Sequence, residues 1–366
     1  MILHIIEPTL KDKTGHRFSF VHDVLVANSD KQRKTHLWLS MGASTLFPGF
    51  DNIVERNYFY RRIRQLQKIS LYRKLLQKGE TVFISTATSL DLILVSLLLR
   101  FTGRSDEKID SVKFYVHWLY RSSKKVKRLK KVALRYPRLA IACPTDSVKK
   151  LLEEIGFQNV SLIPYPSAQV KVKTPAVETN PAFQKLLYAG AARADKGFPF
   201  IVEIIERLKA EKSDIPITLQ CSTTHKGRHS EQVEQAIQNL DKINYPHLSR
   251  IDRTLDEESY RQLFTNSIVV QPYDANLFAD RISGVLLDAL KAGSPSVVPA
   301  DTWMARTVET YGAGIVVEQV DNVDAWLAAI KEIIERWPSY AKHAEHAAKG
   351  IQRRHSPDQL IEWLYN

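Results

Sequence analysis

Two short segments gather cations, carboxylates and glycines beside helix starts. The first runs Leu186-Leu187-Tyr188-Ala189-Gly190-Ala191-Ala192-Arg193-Ala194-Asp195-Lys196-Gly197-Phe198. An apolar, strand-like run ends at Gly190, a short loop carries Arg193 and Lys196, and Gly197 opens a helical pattern. Cations beside a helix N-terminus form a diphosphate site, because backbone N–H groups and the helix dipole add to their charge. Glycine at 190 lets the backbone come close to a ligand. An ordinary strand–loop–helix with solvated charges would use the same residues. The second segment, 280–298, holds two carboxylates eight residues apart, Asp280 and Asp288. A helix starting near Ser283 puts Asp288 in its second turn and leaves Asp280 and Arg281 in the loop before it. One carboxylate could then reach a ribose diol while the other lies closer to a sugar. The Ser283-Gly284 helix start could add N–H donors to phosphate. A capping aspartate and a surface aspartate would account for the pair without any ligand.

The elements around these segments fit that chemistry. Short β-rich runs alternate with helix-period stretches from end to end, the signature of parallel sheets with crossover helices. The first half reads as strands near 3–7, 36–40, 82–85, 112–117, 139–142 and 160–163. Helical patterns fall between them, at 21–27, 59–76, 90–101 and 147–154. Residues 167–183 have linker composition, with Pro175 and Pro181 and no helical period. A second series follows, with strands near 186–189, 216–221, 268–271, 296–299 and 315–318. Helices are expected at 198–210, 230–240, 257–264 and 284–292. The tail 323–365 is helical in pattern and broken at Pro338 and Pro357. At 366 residues, 44% hydrophobic and 25% charged, the chain can bury two cores. Two doubly wound domains would leave a cleft, with ligands outside the carboxyl ends of the strands.

Order, separation of about ninety residues and strand–helix context together resemble retaining GT-B glycosyltransferases, especially glycosyltransferase family four. That family has a G-x-x-x-x-x-K-G stretch opening its C-terminal domain and a later E-x7-E motif, matched here by 190–197 and by Asp280 to Asp288. Residues 141–147 and 162–164 also resemble the close of the family's N-terminal domain. The resemblance implies α/β architecture of the GT-B kind: two Rossmann-like doubly wound domains facing a central cleft, with C-terminal helices packing back toward the N-terminal domain. The boundaries expected are 1–166 for an acceptor-binding domain, 167–183 for the linker, 184–345 for a nucleotide-sugar-binding domain and 346–366 for the returning helix. The resemblance also implies Arg193 and Lys196 on a donor diphosphate beside Gly190, and Asp288 on the ribose hydroxyls. Asp280, or the Arg281–Ser283–Gly284 turn, would lie around the transferred sugar. His117, closing the strand Val112–His117, matches a position close to the donor sugar. Gly15 and His16 match the loop under the donor phosphates and acceptor. Both acids are Asp where the family has Glu, Ala191 stands where it often has Arg, and Arg281 and Ser283 replace its glycines.

Charge adds a partner. Lys and Arg total 52 against 40 acids, a formal +12, which predicts attraction to something anionic. The excess concentrates in two stretches expected to be basic helices, 56–78 and 121–135, neither of which contains an acid. In the first, Ile63, Leu66, Ile69, Tyr72 and Leu75 read as one apolar stripe. A basic helix with an apolar stripe can dock on anionic lipid; the stripe could equally pack on the sheet. No nucleic-acid fold motif accompanies the charge, so nucleic acid is not an expected partner. No Asp-x-Asp offers a metal site, so metal independence is expected. Cys143 and Cys221 read as buried thiols. The N-terminus has no basic leader and reads as a first strand, and the longest apolar run, 90–99, is too short to span a bilayer.

The expected function is transfer of a sugar, with retention of configuration, from a nucleotide-sugar co-substrate (UDP- or GDP-sugar, with no other cofactor). The acceptor would be a glycan or lipid-linked molecule in bacterial surface polysaccharide or glycolipid assembly. The expected location is the cytoplasm, peripherally on the inner face of the plasma membrane. A GT-B-shaped nucleotide-binding scaffold with impaired turnover is the competing expectation.

Overall fold

The computed structural model describes residues 2–13, 15–29, 33–101, 109–119, 122–167, 182–221, 229–253 and 255–366. The chain divides into two compact units, 1–169 with 355–366, and 170–354.

The first unit alternates β1 (Leu3–Ile6), α1 (Gly15–Ser29), β2 (Thr35–Ser40), β3 (Ile53–Phe59), α2 (Arg64–Lys78), β4 (Thr81–Ile84) and α3 (Ser89–Phe101). It continues with β5 (Val112–Tyr115), α4 (Ser123–Arg135), β6 (Ala140–Cys143), α5 (Asp146–Ile155) and β7 (Val160–Leu162). The strands form one parallel sheet in the order β3-β2-β1-β4-β5-β6-β7. Strands β1, β4, β5 and β6 are buried at every position, as strands covered by helices on both faces must be, which is why they read as unbroken apolar runs. Local signals set the ends. The Thr145 side chain accepts from Val148 N to start α5, and Gly79 and Gly156 end α2 and α5 at positive φ.

The second unit contains β8 (Lys185–Ala189), α6 (Phe198–Ala210), β9 (Ile217–Gln220), α7 (Glu231–Lys242), β10 (Leu248–Ile251), α8 (Glu257–Gln262) and β11 (Ser267–Val270). There follow α9 (Ala275–Phe278), α10 (Gly284–Lys291), β12 (Ser296–Pro299), α11 (Trp303–Tyr311), β13 (Gly314–Val317), α12 (Val323–Glu335) and α13 (Trp337–Arg354). Its six parallel strands run β10-β9-β8-β11-β12-β13. The last twelve residues rejoin the first unit through α14 (Asp358–Tyr365). There Tyr365 Oη donates to Asn28 Oδ1 at 2.6 Å and Lys113 Nζ donates to the Trp363 carbonyl at 2.6 Å.

Both sheets reverse strand order once, between β1 and β4 in the first unit and between β8 and β11 in the second. Those two switch points are where an open α/β sheet leaves a crevice for a ligand.

Three expectations need correction. The basic stretch 56–78 is not helical throughout: Ile53–Phe59 is the edge strand β3, and α2 begins at Arg64. An edge strand pairs on one side only, so Arg56 and Asn57 can stay wet while Phe59 is buried. The apolar residues of that stretch do not share one face. Tyr72 and Leu75 are buried, whereas Ile63, Leu66 and Ile69 are exposed. Residues Leu248–Ile251, not among the expected strands, form β10 against β9. Arg121, at the head of the second basic stretch, lies outside the described residues, as do 168–181 of the expected linker.

Candidate functional site

In the second unit, the chain leaves β8 at Gly190 (φ +132°), makes a 3-10 turn over Ala194–Lys196, and enters α6 through Gly197 (φ +67°). The Lys196 side chain folds back so that its ammonium lies 3.0 Å from where a Cβ on Gly190 would stand. Glycine at 190 therefore makes room for the cation as well as for a ligand. The Tyr188 hydroxyl donates to the Lys196 carbonyl at 3.2 Å and fixes the turn from below. Arg193 is gripped by Asp195 through two bonds, Nε–Oδ1 at 2.8 Å and Nη2–Oδ2 at 2.5 Å. This fork-on-carboxylate geometry leaves half of the arginine side chain in solvent. Asp274 N donates to the Asp195 carbonyl at 3.1 Å, so the loop after β8 is tied to the loop after β11.

The electrostatics of this loop are unbalanced. Arg193, Lys196 and Arg281 act on one another and share one nearby carboxylate, Asp195. Burial, then the Arg193 and Arg281 charges, push the Lys196 ammonium down to about 8, with Asp195 opposing. Burial and Arg193 likewise lower Arg281, whose guanidinium lies 4.7 Å from the Phe278 ring centroid. Crowded cations that repel one another are stabilised by a dianionic ligand, and a diphosphate is such a ligand.

The second segment starts beside it. Ser283 caps α10: its hydroxyl accepts from Leu286 N at 3.2 Å and donates to Gln271 Oε1 at 2.8 Å. Gln271 and Ser283 are both buried, which locks the start of α10 onto the end of β11. Gly284 is exposed, and a Cβ there would meet nothing within 4 Å. The protein itself thus gives no packing reason for glycine at the first helical position. Gly284→Ala is expected to leave the thermal midpoint unchanged or slightly raised, since alanine favours helix by about 0.5–1 kcal/mol, while weakening nucleotide affinity severalfold by crowding the α10 N–H groups. Unfolding scans with and without UDP check both halves.

Asp288 sits in the second turn of α10, and the Tyr260 phenol hydrogen-bonds its carboxylate. Asp280 lies in the bend between α9 and α10, half exposed, 3.4 Å from Arg306 Nη2. The structure thus brings Gly190, Arg193, Lys196 and Arg281 together in one cationic cluster, with Ser283, Gly284 and Asp288 on the helix that follows Arg281; Asp280 is engaged by Arg306. Tyr273 was missed by the sequence reading. It is buried, its ring centroid is 5.5 Å from Lys196 Nζ, and it interacts electrostatically with Arg193 and Asp195 on one side and Tyr260 on the other. Its one sequence signal is an aromatic placed three residues beyond a strand end.

The first unit's switch point also carries polar groups. Glu7 follows β1, is fully buried, and accepts from the hydroxyls of Thr9 at 2.8 Å, Ser85 at 2.9 Å and Thr86 at 2.7 Å. Arg17 in turn donates to the Thr9 hydroxyl. His117 Nε2 donates to the Ser85 carbonyl at 2.8 Å, with Phe20, Tyr115 and Tyr165 around the ring. Ser85 therefore joins Glu7 to His117. Glu7 went unread because one acid at a strand end carries no motif, although Glu before Pro after an apolar run was a signal. Gly15 and His16 form the first turn of α1, and Thr14 lies outside the described residues. Burial pushes both thiols, Cys143 and Cys221, up to about 12. Loops around Cys221–His225 and Arg250–Leu255 are those expected to meet the nucleotide base; of these, 222–225 and Thr254 lie outside the described residues.

No protein-family model and no curated protein matches the sequence. Solved structures do match. HepE of Anabaena, in complex with UDP, is 12% identical over 100% of both chains with a TM-score of 0.70. A glycosyltransferase from Rickettsia africae is 14% identical over 99% of this chain and 97% of its own, with a TM-score of 0.72. Sucrose-phosphate synthase from Thermosynechococcus elongatus is 13% identical over 100% of this chain and 98% of its own, with a TM-score of 0.69. The chain has the GT-B fold of these glycosyltransferases.

Proposed function

We propose that the chain is a retaining glycosyltransferase that moves a sugar from a UDP-sugar to a glycan or lipid-linked acceptor in surface polysaccharide or glycolipid assembly. The observation that carries this reading is the Arg193–Lys196–Arg281 cluster at the β8/β11 switch point, with the capped start of α10 following Arg281. UDP is the first choice of nucleotide because HepE, which shares the fold, is described with UDP and with UDP-glucose.

In the proposed reaction, the diphosphate oxygen leaves the anomeric carbon as the acceptor oxygen bonds to the same face. The acceptor's proton passes to the departing phosphate oxygen, so no side chain need form a covalent intermediate. Negative charge grows on the diphosphate. Arg193, Lys196, Arg281 and the α10 N–H groups stabilise it where it develops. Asp288 is assigned the ribose hydroxyls, with Tyr260 fixing one side of its carboxylate. Asp280, once released from Arg306, is assigned the sugar together with the Arg281–Ser283 turn. As the family resemblance implies, His117 of the first unit is assigned to the transferred sugar, and Gly15 and His16 to the donor phosphates and acceptor.

Incubation with UDP-sugars should release UDP and yield a product with the donor's anomeric configuration, readable by proton NMR, and EDTA should not slow it. Inverted product would contradict retention. Strict loss of turnover with EDTA, restored by a divalent ion, would contradict metal independence. Tight UDP binding with neither transfer nor donor hydrolysis would favour the nucleotide-binding scaffold.

A further inference from the structure

Helix α3 is apolar on both of its sides. Leu92, Val95, Leu98 and Leu99 are buried in the core of the first unit. Leu90 is 40% exposed, Leu97 46% and Phe101 80%, and their spacing puts them on one outward stripe. A helix covering a sheet ordinarily carries polar residues there. The only acid on α3, Asp91, is turned inward. It is fully buried and held by Lys68 Nζ at 2.7 Å, the Tyr72 hydroxyl at 2.8 Å and the Thr88 hydroxyl at 2.7 Å.

The neighbours of α3 are α2 and α4, both packed against it. Leu66 and Ile69 of α2 are 68% and 37% exposed, among the exposed cations Arg62, Arg73 and Lys74. Helix α4 exposes Lys124, Lys127, Lys130 and Lys131, with Leu134 89% exposed at its end. No acid occurs between residues 56 and 79, or between 111 and 145. Of the twelve large apolar side chains exposed among the described residues, only Leu277 belongs to the second unit. An apolar ridge between two acid-free cationic helices has the layout of an interfacial surface.

We infer that the outer face of α2, α3 and α4 docks on an anionic lipid surface, with Leu97 and Phe101 entering the headgroup–acyl boundary and the α2 and α4 cations on lipid phosphates. A second copy of the chain fits this face poorly, because self-docking would set cationic rims against each other. As to purpose the inference rests on the transferase reading, since it places the first unit against the surface where a lipid-linked acceptor resides. Its residues are separate from the donor site, so the two readings are tested apart.

The test is flotation of the full chain with vesicles of phosphatidylcholine alone and of phosphatidylcholine mixed equally with phosphatidylglycerol. Binding is expected to the mixed vesicles only. L97Q with F101Q should weaken it about tenfold or more, as loss of buried apolar side chains implies. K127E with K131E should weaken it at least fivefold for each cation removed. All four positions are exposed, so thermal midpoints should stay at the wild-type value and show that the variants fold. No binding to mixed vesicles would overturn the inference. So would binding that survives L97Q/F101Q undiminished, or a stable dimer in solution that the same pair of substitutions dissolves. Stabilisation by UDP, measured on the same samples, reads the donor site. Its persistence without flotation sinks the docking face alone, and flotation without it sinks the donor reading alone.

Discussion

Lys196→Ala is expected to lower turnover of a UDP-sugar by about 10²–10³-fold, the loss that follows removal of one preorganised charge-stabilising donor. The ammonium is held over Gly190 and feels the charges of Arg193 and Arg281, so it arrives at the leaving diphosphate with little reorganisation. Its pH behaviour follows from its position. Burial and two like charges bring it down to about 8, so the free protein carries the cation below that pH and loses it above. UDP affinity should therefore fall by up to about tenfold per pH unit above about 8, a slope absent in the alanine variant.

Stability should move the opposite way. A lysine whose pKa in the folded protein lies below its unfolded value binds its proton more weakly when folded. The charge therefore destabilises the native state, fully below pH 8 and less as pH rises toward the ordinary lysine range. Lys196→Met should accordingly raise the ligand-free stability of the second unit at pH 7 by an amount of the order of 1–3 kcal/mol, while abolishing the UDP-induced shift. Thermal unfolding at pH 7 with and without UDP measures both. A destabilised methionine variant would show that the lysine serves the fold.

Gly197→Ala is expected to be one of the two most damaging single-methyl changes in the second unit, with Gly314→Ala, whose Cβ would likewise come within 1.9 Å of a backbone carbonyl oxygen, that of Ser296. A Cβ on Gly197 would come within 1.9 Å of the Pro272 carbonyl oxygen, and φ is +67°. The backbone on the other side of the collision belongs to the segment after β11, so neither a rotamer nor a flexible tip can relieve it. The loop carrying Arg193 and Lys196 would have to part from that segment and lose the Asp274 N–Asp195 O bond. Left-handed strain alone costs about 1–3 kcal/mol. With the collision added, the midpoint should fall by roughly 6–12 °C, at 2–4 °C per kcal/mol for a unit of this size, and UDP should no longer stabilise. Gly312→Ala isolates the strain: φ is +61° in the same unit, and its Cβ would be in ordinary contact, 3.5 Å from the His343 ring. If both variants unfold at the same temperature, the packing of the two loops is not what Gly197 protects.

What was legible in the sequence was whatever is local. A strand end, a glycine and a cation before a helix lie within eight residues, so Gly190, Arg193 and Lys196 could be read directly. The Ser283 cap and the place of Asp288 on α10 were readable for the same reason. Tyr273, Gln271 and Glu7 were not, because they gain their roles from sheet order. β11 lies beside β8 although some eighty residues separate them, and Ser85 reaches Glu7 only because β4 pairs with β1. The stripe Ile63–Leu66–Ile69–Tyr72–Leu75 failed for a geometric reason. Each three-residue step falls about 60° short of a full turn, so five such residues wind around the helix from solvent to core. Ile53–Phe59 was missed as a strand because an edge position tolerates the charges that argue against a buried one.

On the proposed reading, a nucleoside diphosphate occupies the second unit between the ends of β8 and β11 and the start of α10. Hydrogen–deuterium exchange on the full chain, with and without saturating UDP, tests it most directly. Slower exchange is expected at residues 190–198 and 281–288 alone, and is expected to vanish in Lys196→Ala. Saturation without protection at those residues, or protection centred on another part of either unit, would contradict it.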